Sequence, residues 1–193
     1  MAFERDPHKL FPHDHLLAAT LLRLIPRRVT PNMVTTLRFV LIPFVLAFLY
    51  LERWSVAVPL FLFTALTDAI DGSLARTRKQ VTEWGTFFDP VADKLLIGSV
   101  VLLLVAERVN PWFALLILGV EALIILGGVI RKRRGVVTPA NIFGKTKMFL
   151  QVVGVTFLLI AAWTGMDLYV DLSVGTLSLA VAFAVISLFT YGL

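Results

Sequence analysis

Four aspartates, Asp68, Asp71, Asp89 and Asp93, interrupt stretches that are otherwise largely apolar. The first two are three residues apart and the last two are four apart, so on helices each pair shares a face. An ionised side chain at membrane depth is costly and marks function by default. Two antiparallel neighbouring helices can aim all four carboxylates at one point. Carboxylates packed that closely repel one another, and a divalent cation removes the repulsion. A donor set made only of oxygen favours Mg²⁺, Mn²⁺ or Ca²⁺ over zinc or copper. Two such ions roughly 3.5–4 Å apart are a familiar arrangement for phosphoryl chemistry. The structural alternative is a set of salt bridges from these acids to Arg76, Arg78 or Lys94.

Between the two pairs lie residues suited to an anionic ligand. Gly72 lets a backbone or a ligand approach where a side chain would obstruct, and Gly85 has the same permissive character. Ala75 is small, as close packing or a nucleotide face requires. Arg76 can fork onto a phosphate through two parallel hydrogen bonds. Thr82 offers a hydroxyl. Taken singly, each glycine reads as packing or a turn; with the acids they read as one site.

The elements that must position these residues are helices in a membrane. Of the 193 residues, 58% are hydrophobic and 16% charged, with a mean hydropathy of +0.86. Soluble domains carry about 25% charged residues. The composition excludes a disordered chain, a coiled coil and an ordinary soluble enzyme. Six apolar stretches, near 33–51, 55–75, 86–106, 111–130, 144–163 and 169–190, are each long enough to cross a bilayer as a helix. None alternates with period two, so an all-α bundle of six transmembrane helices is expected. All of the 18 Lys and Arg except Arg53 and Arg108 fall on one side if the N-terminus is cytoplasmic. Both termini and the acidic site then face the cytoplasm, and a cell membrane is the expected location. The net charge of +5 reflects loops beside anionic lipid or substrate, not nucleic acid. Cysteine is absent, which rules out disulfides and thiolate metal sites.

Residues 1–30 are expected to form a cytoplasmic or interfacial segment ahead of a transmembrane domain spanning 31–193. Met1–Pro12 is polar and lacks the apolar core of a secretory signal. His8, His13 and His15 read as a solvated tail. Residues 14–28 are too interrupted to span, but Leu17, Leu21, Leu24 and Ile25 can share a face flanked by Arg23, Arg27 and Arg28. That pattern suits an amphipathic helix lying in the interface. Pro26 and Pro31 are expected to break the chain before the first span.

The order Asp-x2-Asp-Gly-x2-Ala-Arg-x8-Gly-x3-Asp-x3-Asp is filled without a gap by Asp68, Asp71, Gly72, Ala75, Arg76, Gly85, Asp89 and Asp93. Fixed residues at these spacings resemble the CDP-alcohol phosphotransferase family. The resemblance implies a six-helix membrane enzyme, usually a homodimer, that transfers a phosphatidyl-type group from a CDP-linked lipid to an alcohol and releases CMP. It implies that Asp68, Asp71, Asp89 and Asp93 bind one or two Mg²⁺ or Mn²⁺ ions and that Asp93 is the general base. It also implies that Gly72, Ala75, Arg76 and Gly85 surround the cytidine diphosphate.

The segment from Val29 to Pro43 is similar to the opening of the phosphatidylglycerophosphate synthase branch. It places Pro31 and Asn32 near the nucleotide and Arg38 two turns into the first helix. Arg38 is a candidate for the acceptor phosphate; the plainer alternative is snorkelling to headgroups. Gly144, Lys145 and Lys147 resemble that branch's Gly-Lys-x-Lys. With Arg131 and Arg134 they form a basic loop suited to an acceptor that carries a phosphate. One departure is Val120-Glu121, where the branch often has Arg-Glu. Glycerol 3-phosphate is the first acceptor, forming phosphatidylglycerophosphate from CDP-diacylglycerol in phospholipid biosynthesis. Inositol phosphate and phosphatidylglycerol are the alternatives, the last giving cardiolipin. A divalent-cation transporter with an acidic intramembrane site is the reading from a different class.

Overall fold

A computed structural model describes Leu22, Ile25, Pro26, residues 28–133 and residues 142–191. Six long helical runs occupy the expected places. They are α1 (Pro31–Tyr50), α2 (Trp54–Thr77), α3 (Glu83–Val100), α4 (Pro111–Arg133), α5 (Ile142–Thr164) and α6 (Asp167–Tyr191). No strand occurs among the described residues. Contacts divide the chain into two compact units, Met1–Leu96 and Ile97–Leu193.

In the first unit, α1 begins at Pro31, which opens the span instead of interrupting the chain ahead of it. A proline at the first helical position loses nothing, because its missing N–H would have no partner there. Thr30 caps the helix, its hydroxyl accepting from the Met33 N–H at 3.3 Å. A turn of three residues, with Glu52 in the left-handed region (φ 53°), returns the chain into α2 as an antiparallel neighbour. Thr82 caps α3 by accepting from the Gly85 N–H at 3.0 Å. The apolar core beneath contains Leu22, Val34 and Leu74, with Ile25, Val29 and Ile70 packed against them. Ile25, expected on a lipid-facing stripe, is thus turned inward, where it covers apolar surface of α1 and α2. Its expected companions Leu17, Leu21 and Leu24 lie outside the described residues, as does most of the amphipathic segment.

In the second unit the helix begun as α3 continues to Arg108 through a wider turn at Val101–Val105, where the Ala106 N–H reaches back to the Val101 carbonyl. Asn110 caps α4 through its side-chain carbonyl, accepting from Trp112 N–H at 2.8 Å. The helices α5 and α6 pack along each other, closely enough at Gly154 that a Cβ there would stand 2.7 Å from Leu177 Cγ. Gly165, with φ +71°, ends α5 in the left-handed conformation that favours glycine.

Five helices among the described residues are long and apolar enough to cross a membrane: α1, α2, α4, α5 and α6. The expected third span, 86–106, has the length but not the composition, because Asp89, Asp93 and Lys94 crowd its first half. Large apolar side chains stand exposed along the helices, Met33, Leu37, Val40 and Phe44 on one face of α1 among them. Helices of this kind fit a multi-pass membrane protein, with lipid covering such faces.

Candidate active site

The buried face of α1 runs Pro31, Val34, Thr35, Arg38, Ile42, Val45, Leu49, at helical spacings of three and four. Two of these residues are polar, and both reach acids of the motif. Arg38 is 0% exposed. Its Nη1 donates to Asp68 Oδ1 at 2.8 Å, its Nη2 to Asp71 Oδ2 at 2.5 Å and its Nε to Thr67 Oγ1 at 3.2 Å. The planar fork spans two carboxylates one helical turn apart, which a lysine ammonium cannot do. Asp71 is buried, while the Asp68 side chain keeps 32% of its surface exposed.

Thr35 links α1 and α2 to α3. Its hydroxyl donates to Asp89 Oδ1 at 2.6 Å and lies 3.3 Å from both Asp71 Oδ2 and the Pro31 carbonyl. A hydroxyl has one proton, so the two longer contacts are alternative acceptors. Phe39 and Phe88 meet edge to face at 6.1 Å, and Trp84 stacks on Phe88, fixing the start of α3 against α1. Three motif acids from two helices thus gather around one guanidinium and one hydroxyl, all within the first unit.

A second cluster adjoins them. Thr82 donates to Asn32 Oδ1 at 2.8 Å. Gly85 is buried, and a Cβ there would stand 3.2 Å from Thr82 Oγ1, 3.3 Å from Asn32 Oδ1 and 3.5 Å from Asp89 Oδ2. The expected ligand-binding residues Asn32, Thr82 and Gly85 therefore sit together beside Asp89. At Gly72 a Cβ would meet only the far end of Arg76, 3.3 Å away, so the space beside it is filled by a flexible side chain rather than by backbone. Ala75 is half-buried on the next turn of α2. An open groove of about 730 Å³, lined by Val29, Met33, Val34, Thr36, Leu37, Val40 and Trp84, begins at Asn32.

Among the described residues no three His, Asp or Glu form a group that could by itself hold a metal. Arg38 supplies positive charge between Asp68 and Asp71. Asp93 is half-buried, one turn beyond Asp89 on α3. The oxygen-only donors Asp68, Asp71, Asp89 and Thr35 nonetheless fit a hard divalent cation.

Salt bridges to Arg76, Arg78 or Lys94 were the alternative to a metal site; the guanidinium between Asp68 and Asp71 is that of Arg38. Snorkelling is also excluded for Arg38, since it is fully buried. Arg78 instead donates to the carbonyls of Val29 and Ile25, both at 2.8 Å, and of Pro26 at 3.3 Å, tying down the approach to α1. Thr35 and Thr67 were missed; Thr35 is three residues before Arg38 on the same helical face, but Thr36 beside it is an equal candidate in the sequence.

The basic candidates belong to the second unit. Lys147 is buried and ion-paired with Glu121, the acid of the departing Val120-Glu121 position. Lys145 is exposed and Arg131 half-buried, while Arg134 lies outside the described residues.

Comparison with known proteins agrees with the motif. Three relatives named CDP-diacylglycerol--glycerol-3-phosphate 3-phosphatidyltransferase are informative. That of Pseudomonas fluorescens is 48% identical over 88 residues, 44% of this chain and 45% of its own. One from Yersinia pestis is 49% identical over 86 residues, 43% of this chain and 47% of its own. The chain therefore spans about half the length of these curated relatives. The protein of Rickettsia felis is 33% identical over 159 residues, 79% of this chain and 86% of its own. The CDP-alcohol phosphatidyltransferase family profile matches residues 28–189, which include both clusters. The chain belongs to the CDP-alcohol phosphatidyltransferase family.

Proposed function

We propose that this chain transfers a phosphatidyl group from CDP-diacylglycerol to the hydroxyl of glycerol 3-phosphate, releasing CMP and forming phosphatidylglycerophosphate. The observation that carries the reading is the gathering of Asp68, Asp71 and Asp89 around Arg38 and Thr35, beside the Asn32–Thr82–Gly85 cluster. The name shared by the relatives supports the donor and the acceptor.

Asp68, Asp71, Asp89 and Asp93 are the residues that would hold Mg²⁺ or Mn²⁺, which when bound would supply neutralising charge to the pyrophosphate. Pro31, Asn32, Gly72, Ala75, Arg76, Thr82 and Gly85 hold the cytidine diphosphate. The groove starting at Asn32 gives an apolar chain of the donor a surface next to that cluster. The acceptor oxygen forms a bond to the lipid-bearing phosphorus, and the phosphoanhydride bond to CMP breaks. Asp93 takes the proton of the acceptor hydroxyl. An ordinary aspartate is a weak base, so positioning and charge neutralisation contribute most of the activation. Lys145, Lys147, Arg131, Arg134 and Arg38 are the cations for the acceptor phosphate. The protein works as a homodimer in a cell membrane, with its termini and active site on the cytoplasmic side.

The test is CMP release from CDP-diacylglycerol by purified protein with Mg²⁺ or Mn²⁺. Glycerol 3-phosphate, inositol phosphate and phosphatidylglycerol are offered separately. Release is expected with glycerol 3-phosphate. Release with another acceptor alone moves the protein to that branch. Release with none, together with metal flux in vesicles, replaces the enzyme reading by transport.

A further inference from the structure

The end of α2 is closed in a defined shape. The Gln80 N–H donates to the Ala75 carbonyl at 2.8 Å and the Lys79 N–H to the Arg76 carbonyl at 3.3 Å, with Lys79 in the left-handed region (φ 55°). This double closure ends a helix and fixes the residue before the left-handed one. That residue is Arg78. Its Nη2 donates to the Ile25 carbonyl and its Nη1 to the Val29 carbonyl, both at 2.8 Å, and Nη1 also reaches the Pro26 carbonyl at 3.3 Å. One planar guanidinium thus serves three carbonyls that lie 49 to 53 residues earlier in the chain, which a compact lysine ammonium cannot do in the same way. The segment held like this runs straight into the groove described above. Val29 is one of its apolar walls, with Leu37, Val40 and Trp84 among the others, and Asn32 is its polar end. Asn32 is tied by the same α2–α3 connection, Thr82 donating to its Oδ1 at 2.8 Å. The connection therefore grips the start of α1 twice, once behind an apolar wall of the groove and once at its polar end.

We infer that Arg78 is a positioning residue for the lipid donor: by holding the carbonyls of Ile25, Pro26 and Val29 it sets the apolar wall against which an acyl chain of CDP-diacylglycerol lies, while the donor's head stays at Asn32. The inference deepens the proposed transferase reading and rests on it. A groove with apolar walls and one polar end fits an amphiphile with a charged head and a hydrocarbon tail, which the donor is. Arg78 acts on that tail through Val29 and takes no part in bond making. Without Arg78, three backbone carbonyls beside the wall lose their donor and must find water. The segment ahead of Pro31 then loses its anchor, and Val29 moves with it. Asn32 keeps its tie to Thr82, so the polar end changes less than the wall. The signature is weaker hold on the donor's chain, with the chemical step less affected.

The experiment measures CMP release by purified full-length protein with Mg²⁺ and saturating glycerol 3-phosphate. CDP-dipalmitoylglycerol and CDP-dihexanoylglycerol are compared in the same mixed micelles, because the short chains bury far less apolar surface. The proteins are wild type, Arg78→Met, Arg78→Lys and Val29→Ala. Arg78→Met is expected to raise KM for the long-chain donor about tenfold, the order of a lost hydrogen bond from a charged group. Its KM for the short-chain donor should rise less, and kcat should change less than KM. Arg78→Lys keeps the charge and part of the hydrogen bonding and should fall between. Val29→Ala trims the wall itself and should raise the long-chain KM about fivefold. A tether that is structural only would reduce the amount of active protein, lowering kcat equally for both donors at unchanged KM; that result overturns the inference. If Arg78→Met does not fold, Val29→Ala decides, and an unchanged long-chain KM there overturns it. Wild-type release with the same KM values in all four proteins overturns the inference alone. No release by wild type from either donor overturns the transferase reading and the inference together.

Discussion

Among the described residues of 97–193, Lys147 is buried on Glu121, whereas among those of 1–96 the Arg38 guanidinium and the Thr35 hydroxyl are buried beside three carboxylates. The first pair is largely buried, with side chains 9% and 16% exposed. The second has more acid than base and leaves Asp68 partly open at 32%. Desolvating charge is costly, and a buried ion pair is weak evidence for stability even when matched. A network with more carboxylates than cations is a poorer stabiliser still. The comparison sets a single cation on a single carboxylate against a guanidinium forked onto two carboxylates, with a third carboxylate held by Thr35.

The comparison can be broken at either unit. The largest effect on stability is expected from Lys147→Met, which removes the buried cation facing Glu121 and should cost about 3–5 kcal/mol in unfolding experiments. Adding Glu121→Met should recover most of that, because a buried ion pair can be replaced by packing. The corresponding double change in the first unit, Arg38→Met with Asp71→Asn, should recover stability without recovering CMP release. Full activity in that double variant would equate the two units.

A smaller effect is expected from Thr35→Val, which keeps shape and removes the hydroxyl holding Asp89. Groups that orient metal-binding side chains are worth roughly 10–100-fold in metal affinity or activity. Mn²⁺ titration and CMP release should both fall by that factor while unfolding changes little. Equal affinity and rate would reduce Thr35 to a packing residue. Gly154→Ala probes apolar packing in the second unit. Its Cβ would press on Leu177 at 2.7 Å, an overpacking worth about 1–3 kcal/mol in unfolding, with Mn²⁺ affinity unchanged.

Much of this was legible in one dimension. The helices α1 to α6 could be read because apolar runs of span length leave no other way to satisfy the backbone in lipid. The acids could be read because spacings of three and four define a helical face. Three things could not. The depth of Arg38 was hidden, since its sequence neighbours are equally apolar on the buried and exposed faces of α1. The role of Thr35 was hidden because a threonine beside a second threonine carries no sign of which one points inward: Thr35 is buried and Thr36 exposed. The pairing of Glu121 with Lys147 joins residues on α4 and α5, and no local pattern connects them. The inward turn of Ile25 likewise depends on Val34 and Leu74, which meet only once α1 and α2 have packed.

The central claim is that Asp68, Asp71, Asp89 and Asp93 serve a metal-dependent phosphotransfer site with Asp93 as its base. The most direct measurement is CMP formation from CDP-diacylglycerol and glycerol 3-phosphate, by wild type and by Asp93→Asn, in Mg²⁺ and in EDTA. The account predicts CMP only from wild type in Mg²⁺, with Asp93→Asn still binding metal. Undiminished CMP formation in EDTA, or wild-type turnover by Asp93→Asn, would contradict it.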